Sequence, residues 1–174
     1  MNNQPELLSK LTDKQKIEIL RKNWMSHDAR AQMAIVREFG WDKGNLLNKE
    51  IIGEVGKIMI YRLMNALRIF KIKNMKDFET FYNVATNFYY PSSISSYYFK
   101  QISDNVLIAV IEKCSTYDNI MKIGVAKHYE CGCFAMRNGW YKAMDLKVEE
   151  ELGKCLKNGD EVCEITIRIK KWNS

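Results

Sequence analysis

The chain has 174 residues, 47% of them hydrophobic and 28% charged, and a net charge of +6. One domain is expected over 1–174, with 1–11 as a flexible lead, and its core is large enough to need no staples. No run of about 18 apolar residues exists, so no membrane span is expected. The lysines are scattered among Glu and Asp, which reads as a solvated basic surface and not as a nucleic-acid footprint.

The opening, MNNQPELLSKLTDK, is too polar for a signal peptide, and a cytoplasmic protein is expected. Thr12-Asp13-Lys14-Gln15 fits a capping box that starts a helix at Asp13. Ile17, Leu20, Trp24, Ala31, Ile35 and Phe39 recur at helical spacing, and Gly40 is the expected stop. His27 and Asp28 fall in or beside that stripe, with a break near Ser26 as one option. A second helix, capped by Asp42, is expected from Lys43 to Phe70. Its apolar residues cover more than one face, and Gly53 and Gly56 are spaced for close approach by another element. A third helix covers Met75 to Asn87. Tyr97 to Ile102 and Val106 to Lys113 read as strands joined at Asp104-Asn105, the second as a central strand covered on both faces. Short helices follow at Asp118 to Val125 and Ala135 to Met144. Helices first and hairpins later argue an α+β fold, with an antiparallel sheet packed against the N-terminal helices.

Five cysteines are an odd number, and in a reducing compartment metal binding or reactivity competes with plain burial as their role. Four of them, Cys131, Cys133, Cys155 and Cys163, fall between Glu130 and Ile169. Asn158-Gly159-Asp160 is a turn signal. A three-residue loop there pairs Cys155 with Cys163, Gly153 with Ile165 and Glu151 with Ile167. Facing thiols in such a pair suit a shared metal ion or a disulfide. Glu151 then shares the buried face, where a cation would offset its cost. Cys131-Gly132-Cys133 could chelate from a turn.

CLKNGDEVC resembles the closing hairpin of the 4-vinyl reductase ligand-binding domain. That superfamily is shared with TRAPP transport subunits and with sensor domains of bacterial aromatic-responsive activators. YECGCFAMRNGWYKAM, with the segment from Trp24 to Met59, looks closer to uncharacterised cytosolic proteins grouped with the L-2-amino-thiazoline-4-carboxylic acid hydrolases. The resemblance implies a structural zinc bound by three cysteines and one glutamate, beside an apolar pocket. By position these are Cys155, Cys163 and Cys131 or Cys133. The family's glutamate falls at Leu152, and Glu151 is its neighbour; an all-cysteine set of four is the other option. A closed site of this kind suits zinc. The resemblance also implies a small, partly apolar ligand, for which Trp24, His27, Asp28, Met59, Tyr97 and Trp140 are candidate lining residues. It further implies a homodimer through the long helices. The alternative is a hydrolase opening a thiazoline-like ring, with Cys133, His27 and Asp28 as the catalytic candidates.

Overall fold

The computed structural model describes residues 4–172, so residues 1–3 and 173–174 of the expected 1–174 domain lie outside the described residues. Gln4–Ser9 form helix α1. The capping box then forms as the sequence predicts. Thr12 Oγ1 accepts from the Gln15 N–H at 3.2 Å, and the Thr12 N–H donates to Gln15 Oε1 at 2.8 Å. Helix α2 covers Asp13–Leu67 and is broken at Gly40, where φ is 79° and ψ 172°. Glycine tolerates that conformation because it has no Cβ. No break occurs at Ser26, and the helix resumes at Trp41, so Asp42 is not a cap. Arg68, at φ 54°, ends α2, and the Ile69 N–H returns to the Met64 carbonyl at 2.9 Å.

Asn74 caps α3 (Met75–Tyr89) by accepting from the Asp77 N–H at 2.9 Å. Next come β1 (Ser95–Ser103), β2 (Val106–Cys114), α4 (Ser115–Lys122), α5 (Cys133–Ala143), β3 (Lys147–Lys154) and β4 (Cys163–Lys171). The strands form one sheet in the order β1-β2-β4-β3, and each neighbouring pair is antiparallel. The α+β architecture therefore matches the expectation. By their contacts the residues divide into two compact units, Met1–Leu46 and Leu47–Ser174.

The second unit holds the sheet and its core. Ile60 and Met64 of α2 and Phe78, Phe81 and Tyr82 of α3 cluster with Trp140 and Tyr141 of α5, Leu107 of β2 and Ile165, Ile167 and Ile169 of β4. Gly53 and Gly56 do allow a close approach, and α5 is the element that makes it. A Cβ on Gly56 would lie 2.4 Å from the Met136 carbonyl oxygen. One on Gly139 would lie 2.1 Å from the Gly53 oxygen and 2.8 Å from the Lys57 nitrogen. The two helices meet backbone to backbone, which fixes where α5 begins.

The closing hairpin departs from its expected register. Strand β3 stops at Lys154, and a 3-10 turn at Leu156–Asn158 with Gly159 at φ 94° lengthens the loop. Cys155 therefore lies outside the ladder, where its N–H donates to Asp160 Oδ2 at 2.7 Å. An irregularity between Leu152 and Lys154 sets Glu150, not Glu151, opposite Ile167, and Glu151 opposite Thr166. Glu151 is consequently exposed on the outer face, away from the cysteine face that the three-residue loop had assigned to it. Leu146, Val148 and Glu150 form the inward alternation.

Candidate cysteine centre

Antiparallel pairing brings the end of β2, the start of β4 and the end of β3 to one end of the sheet. Cys114 closes β2, Cys163 opens β4 and Cys155 follows β3. Cys133 opens α5, with Gly132 as its N-cap and Cys131 just before. All five thiols are free, and each is an electrostatic neighbour of at least one other. The Cys133 charge acts on Cys114, Cys131 and Cys163.

Cys131 Sγ and Cys133 Sγ are 3.1 Å apart. Gly132 between them is pressed against α2: a Cβ there would lie 3.0 Å from Ile52 Cγ2 and 3.2 Å from Asn48 Nδ2. Asn48, 8% exposed, hydrogen-bonds the Tyr129 hydroxyl, which also interacts with the backbone of Gly132. A glycine in this loop is thus dictated by the approach of the helix behind it.

Arg137 lies one turn along α5 from Cys133 and is 5% exposed. Its Nε and NH2 groups donate to Glu150 Oε1 and Oε2 at 2.6 and 3.0 Å. Tyr141 donates to the same carboxylate, and the guanidinium carbon sits 4.6 Å from the centre of the Phe134 ring. Arg137 also hydrogen-bonds Cys133. Burial works against the Arg137 charge, but the facing charges of Cys133 and Glu150 outweigh it. Fork-shaped pairing of this kind fixes the guanidinium in place.

The thiols are correspondingly unequal. The hydrogen bond from Cys131 holds the Cys133 thiol down to about 6 against the pull of burial, and the Arg137 charge helps. Cys131 is pushed up, first by that same hydrogen bond, then by burial and the Cys133 charge. Burial raises Cys163 to about 11 and also raises Cys114. A thiolate at a helix N-terminus beside a cation is the nucleophilic form of cysteine.

Among the described residues, no group of three or more His, Cys, Asp or Glu side chains is arranged to hold a metal ion. Glu150, the carboxylate on the inner face, is engaged by Arg137 and Tyr141. A donor set of three cysteines plus Glu151 does not fit this arrangement, because Glu151 faces outward.

The remaining candidates fall in two places. Trp24, His27 and Asp28 belong to the first unit; Trp24 and His27 are exposed, while burial raises the Asp28 carboxyl against the opposing His27 charge. Met59, Tyr97 and Trp140 belong to the second unit and are linked through a chain of aromatic rings. Ring centres run Tyr97–Phe99 at 5.3 Å, Phe99–Tyr82 at 5.2 Å and Tyr82–Trp140 at 5.4 Å. Tyr89 packs on Trp140 and donates to the Met59 carbonyl at 2.7 Å. Two polar atoms of these residues, Trp140 Nε1 and Tyr97 Oη, are buried without a hydrogen-bond partner. Burial pushes the Tyr97 phenol up to about 12. Cys114, Arg137, Glu150 and Tyr129 were missed by sequence reasoning. For Arg137 the available signal was its place one helical turn from Cys133.

This geometry defines an α+β fold with a four-stranded antiparallel sheet. No family model matches the chain, and no curated protein does. Among solved structures the chain is similar to subunit 3 of a trafficking protein particle complex from Naegleria fowleri, covalently bound to palmitic acid. The TM-score is 0.59 at 16% identity, over 93% of this chain and 99% of that one. It is also similar to a structure from work on heme distortion in the H-NOX family, with a TM-score of 0.47 at 15% identity, over 84% of this chain and 72% of that one.

Proposed function

We propose that this chain is a small-molecule-binding domain, akin to the 4-vinyl reductase and TRAPP-like superfamily, whose ligand is largely apolar with one hydrogen-bonding end. The observation that carries this reading is the pair of unpartnered polar atoms on the linked aromatic rings, Trp140 Nε1 and Tyr97 Oη. A buried polar group left unpaired costs about 1–3 kcal/mol. A molecule offering a carbonyl or carboxylate to the indole N–H and a donor or acceptor to the phenol would remove that cost. Tyr82, Phe99 and Met59 supply the apolar wall. The palmitic acid held by the fold neighbour supports an acyl chain as the first molecule to try.

The test is isothermal titration of delipidated protein with palmitic acid and with a short aromatic carboxylic acid. Trp140→Phe and Tyr97→Phe each remove one polar atom and keep an aromatic ring at the position. Loss of one such contact, about 1–2 kcal/mol, weakens binding about 5- to 30-fold. The reading fails if neither compound binds and native mass spectrometry of the purified chain detects no co-purified small molecule. It also fails if both variants bind as tightly as the parent.

A further inference from the structure

The ligand-binding reading makes no use of the Cys131–Cys133 pair, and the chemistry of that pair is independent of it. The two sulfurs are separated by 3.1 Å without a bond. A disulfide needs about 2.05 Å, so a closure of about 1 Å joins them. The motion is local, because both residues flank a single glycine in the turn before α5. Of the two residues Cys131 is the more exposed, and Cys133 is half-buried. Arg137, locked by Glu150 and resting on Phe134, points its remaining hydrogen-bonding capacity at Cys133 Sγ. A buried guanidinium held by Glu150 and Phe134 and hydrogen-bonded to a sulfur favours the anionic form of that sulfur.

We infer that Cys131 and Cys133 form a redox-active dithiol that reduces low-molecular-weight disulfides by thiol–disulfide exchange. In the first step the Cys133 thiolate attacks one sulfur of a disulfide RSSR. The Cys133–SR bond forms, the RS–SR bond breaks, and RS⁻ leaves and takes a proton from solvent. In the second step Cys131, after releasing its proton to solvent, attacks Cys133 Sγ. The Cys131–Cys133 bond forms, the Cys133–SR bond breaks, and a second RS⁻ leaves. Two protein thiols are oxidised, one small disulfide is reduced, and two molecules of RSH are produced. Attack through a mixed disulfide with an adjacent resolving thiol is the general course of such exchange. Cys155 and Cys163 form a separate pair, in which Cys163 Sγ accepts from the Leu156 N–H at 3.3 Å. Cys163 is far less acidic than Cys133.

The experiment uses the full chain, reduced and then exposed to oxidised glutathione. After acid quenching and alkylation, peptide mass spectrometry maps the products. The parent is expected to lose two hydrogens on the peptide containing Cys131 and Cys133, with release of two equivalents of reduced glutathione. Cys131→Ser is expected to stop at one glutathione attached to Cys133. Cys133→Ser is expected to form no internal disulfide and to hold at most one glutathione, on Cys131. Cys155→Ser leaves the Cys131–Cys133 product unchanged and controls for the second pair. Circular dichroism confirms that each variant is folded; if Cys133→Ser is not, Cys131→Ser alone carries the test. The inference is overturned if the disulfide forms only between Cys155 and Cys163, or if Cys131→Ser takes up no glutathione on Cys133. It is also overturned if stoichiometric zinc, released by Cys133→Ser, shields the pair from reaction in the protein as purified.

Discussion

Replacing Glu150 by glutamine tests the buried ion pair beneath Cys133. The Arg137 and Glu150 side chains are only 6% and 7% exposed. They share two hydrogen bonds of 2.6 and 3.0 Å, and the Tyr141 hydroxyl ends on the same carboxylate. Glutamine keeps the shape and one acceptor but turns the second oxygen into an amide that meets the guanidinium donors head on. Breaking a buried pair from one side costs about 3–5 kcal/mol, and the surviving acceptor places this change near the lower end. For a chain of this size about 2–4 °C is lost per kcal/mol, so the melting temperature should fall by about 6–12 °C. Urea unfolding at constant m-value gives the free energy directly. Glu151→Gln, on the exposed face one residue away, should stay within about 0.5 kcal/mol of the parent. Arg137→Met with Glu150→Leu removes both charges together and should recover most of the loss. If Glu150→Gln costs less than about 1 kcal/mol, or Glu151→Gln costs as much, the buried pair does not hold the start of α5 in place.

Further outcomes are expected. The alkylation rate of Cys133 by iodoacetamide should rise with pH through a midpoint near 6, because the hydrogen bond from Cys131 and the Arg137 charge favour its thiolate. Cys131→Ala should move that midpoint up; a parent midpoint in the ordinary thiol range, about 8.5, contradicts the assignment. The folded value of Cys133 lies below the unfolded one, so the stability it contributes is full above the unfolded thiol range. That stability should fade as pH falls through about 6, visible as a smaller urea-midpoint difference between parent and Cys133→Ala at about pH 5 than at about pH 9. Gly139→Ala drives a methyl into the Gly53 carbonyl and the Lys57 nitrogen and should cost at least about 1–3 kcal/mol. Gly53→Ala, whose Cβ would sit 3.4 Å from the Ala135 oxygen, should cost clearly less in the same thermal melts. Thr12→Ala should remove about 0.5–2 kcal/mol of helix stability, read by circular dichroism.

Local signals carried most of the fold. The capping box at Thr12, the stop at Gly40, the paired glycines at 53 and 56 and the strand periods all act within a few residues, and the structure follows them. The hairpin register did not follow its turn signal. Asn158-Gly159 does turn with Gly159 left-handed, but a short helical turn and the irregularity at Gly153 add residues that a two-strand template cannot foresee. The inward run of Leu146, Val148 and Glu150 was the better guide, since alternation counted from the apolar end of a strand does not depend on loop length. The cysteine centre was only half visible. Cys131, Cys133, Cys155 and Cys163 stood out by clustering in sequence, whereas Cys114 joins them only because β2 ends where β4 begins. Arg137 carries one local hint, its place a helical turn from Cys133, but its ion pair with Glu150 is a relation between two elements and leaves no mark on either alone.

The two edges of the sheet are not alike. Along β3 the exposed side chains are Lys147, Glu149, Glu151, Leu152 and Lys154, all but one of them charged. An incoming extended chain would have to desolvate that row, a common natural defence against unwanted strand addition. Along β1, Tyr98 and Ile102 are about half exposed, Lys100 is the strand's one exposed charge, and the ladder is irregular only beside Ser96 and Gln101. Between those two points β1 offers a regular, weakly guarded template. At high concentration, accidental cross-pairing between molecules should therefore begin along Tyr98–Gln101, and a lysine in place of Tyr98 would suppress it without touching the core.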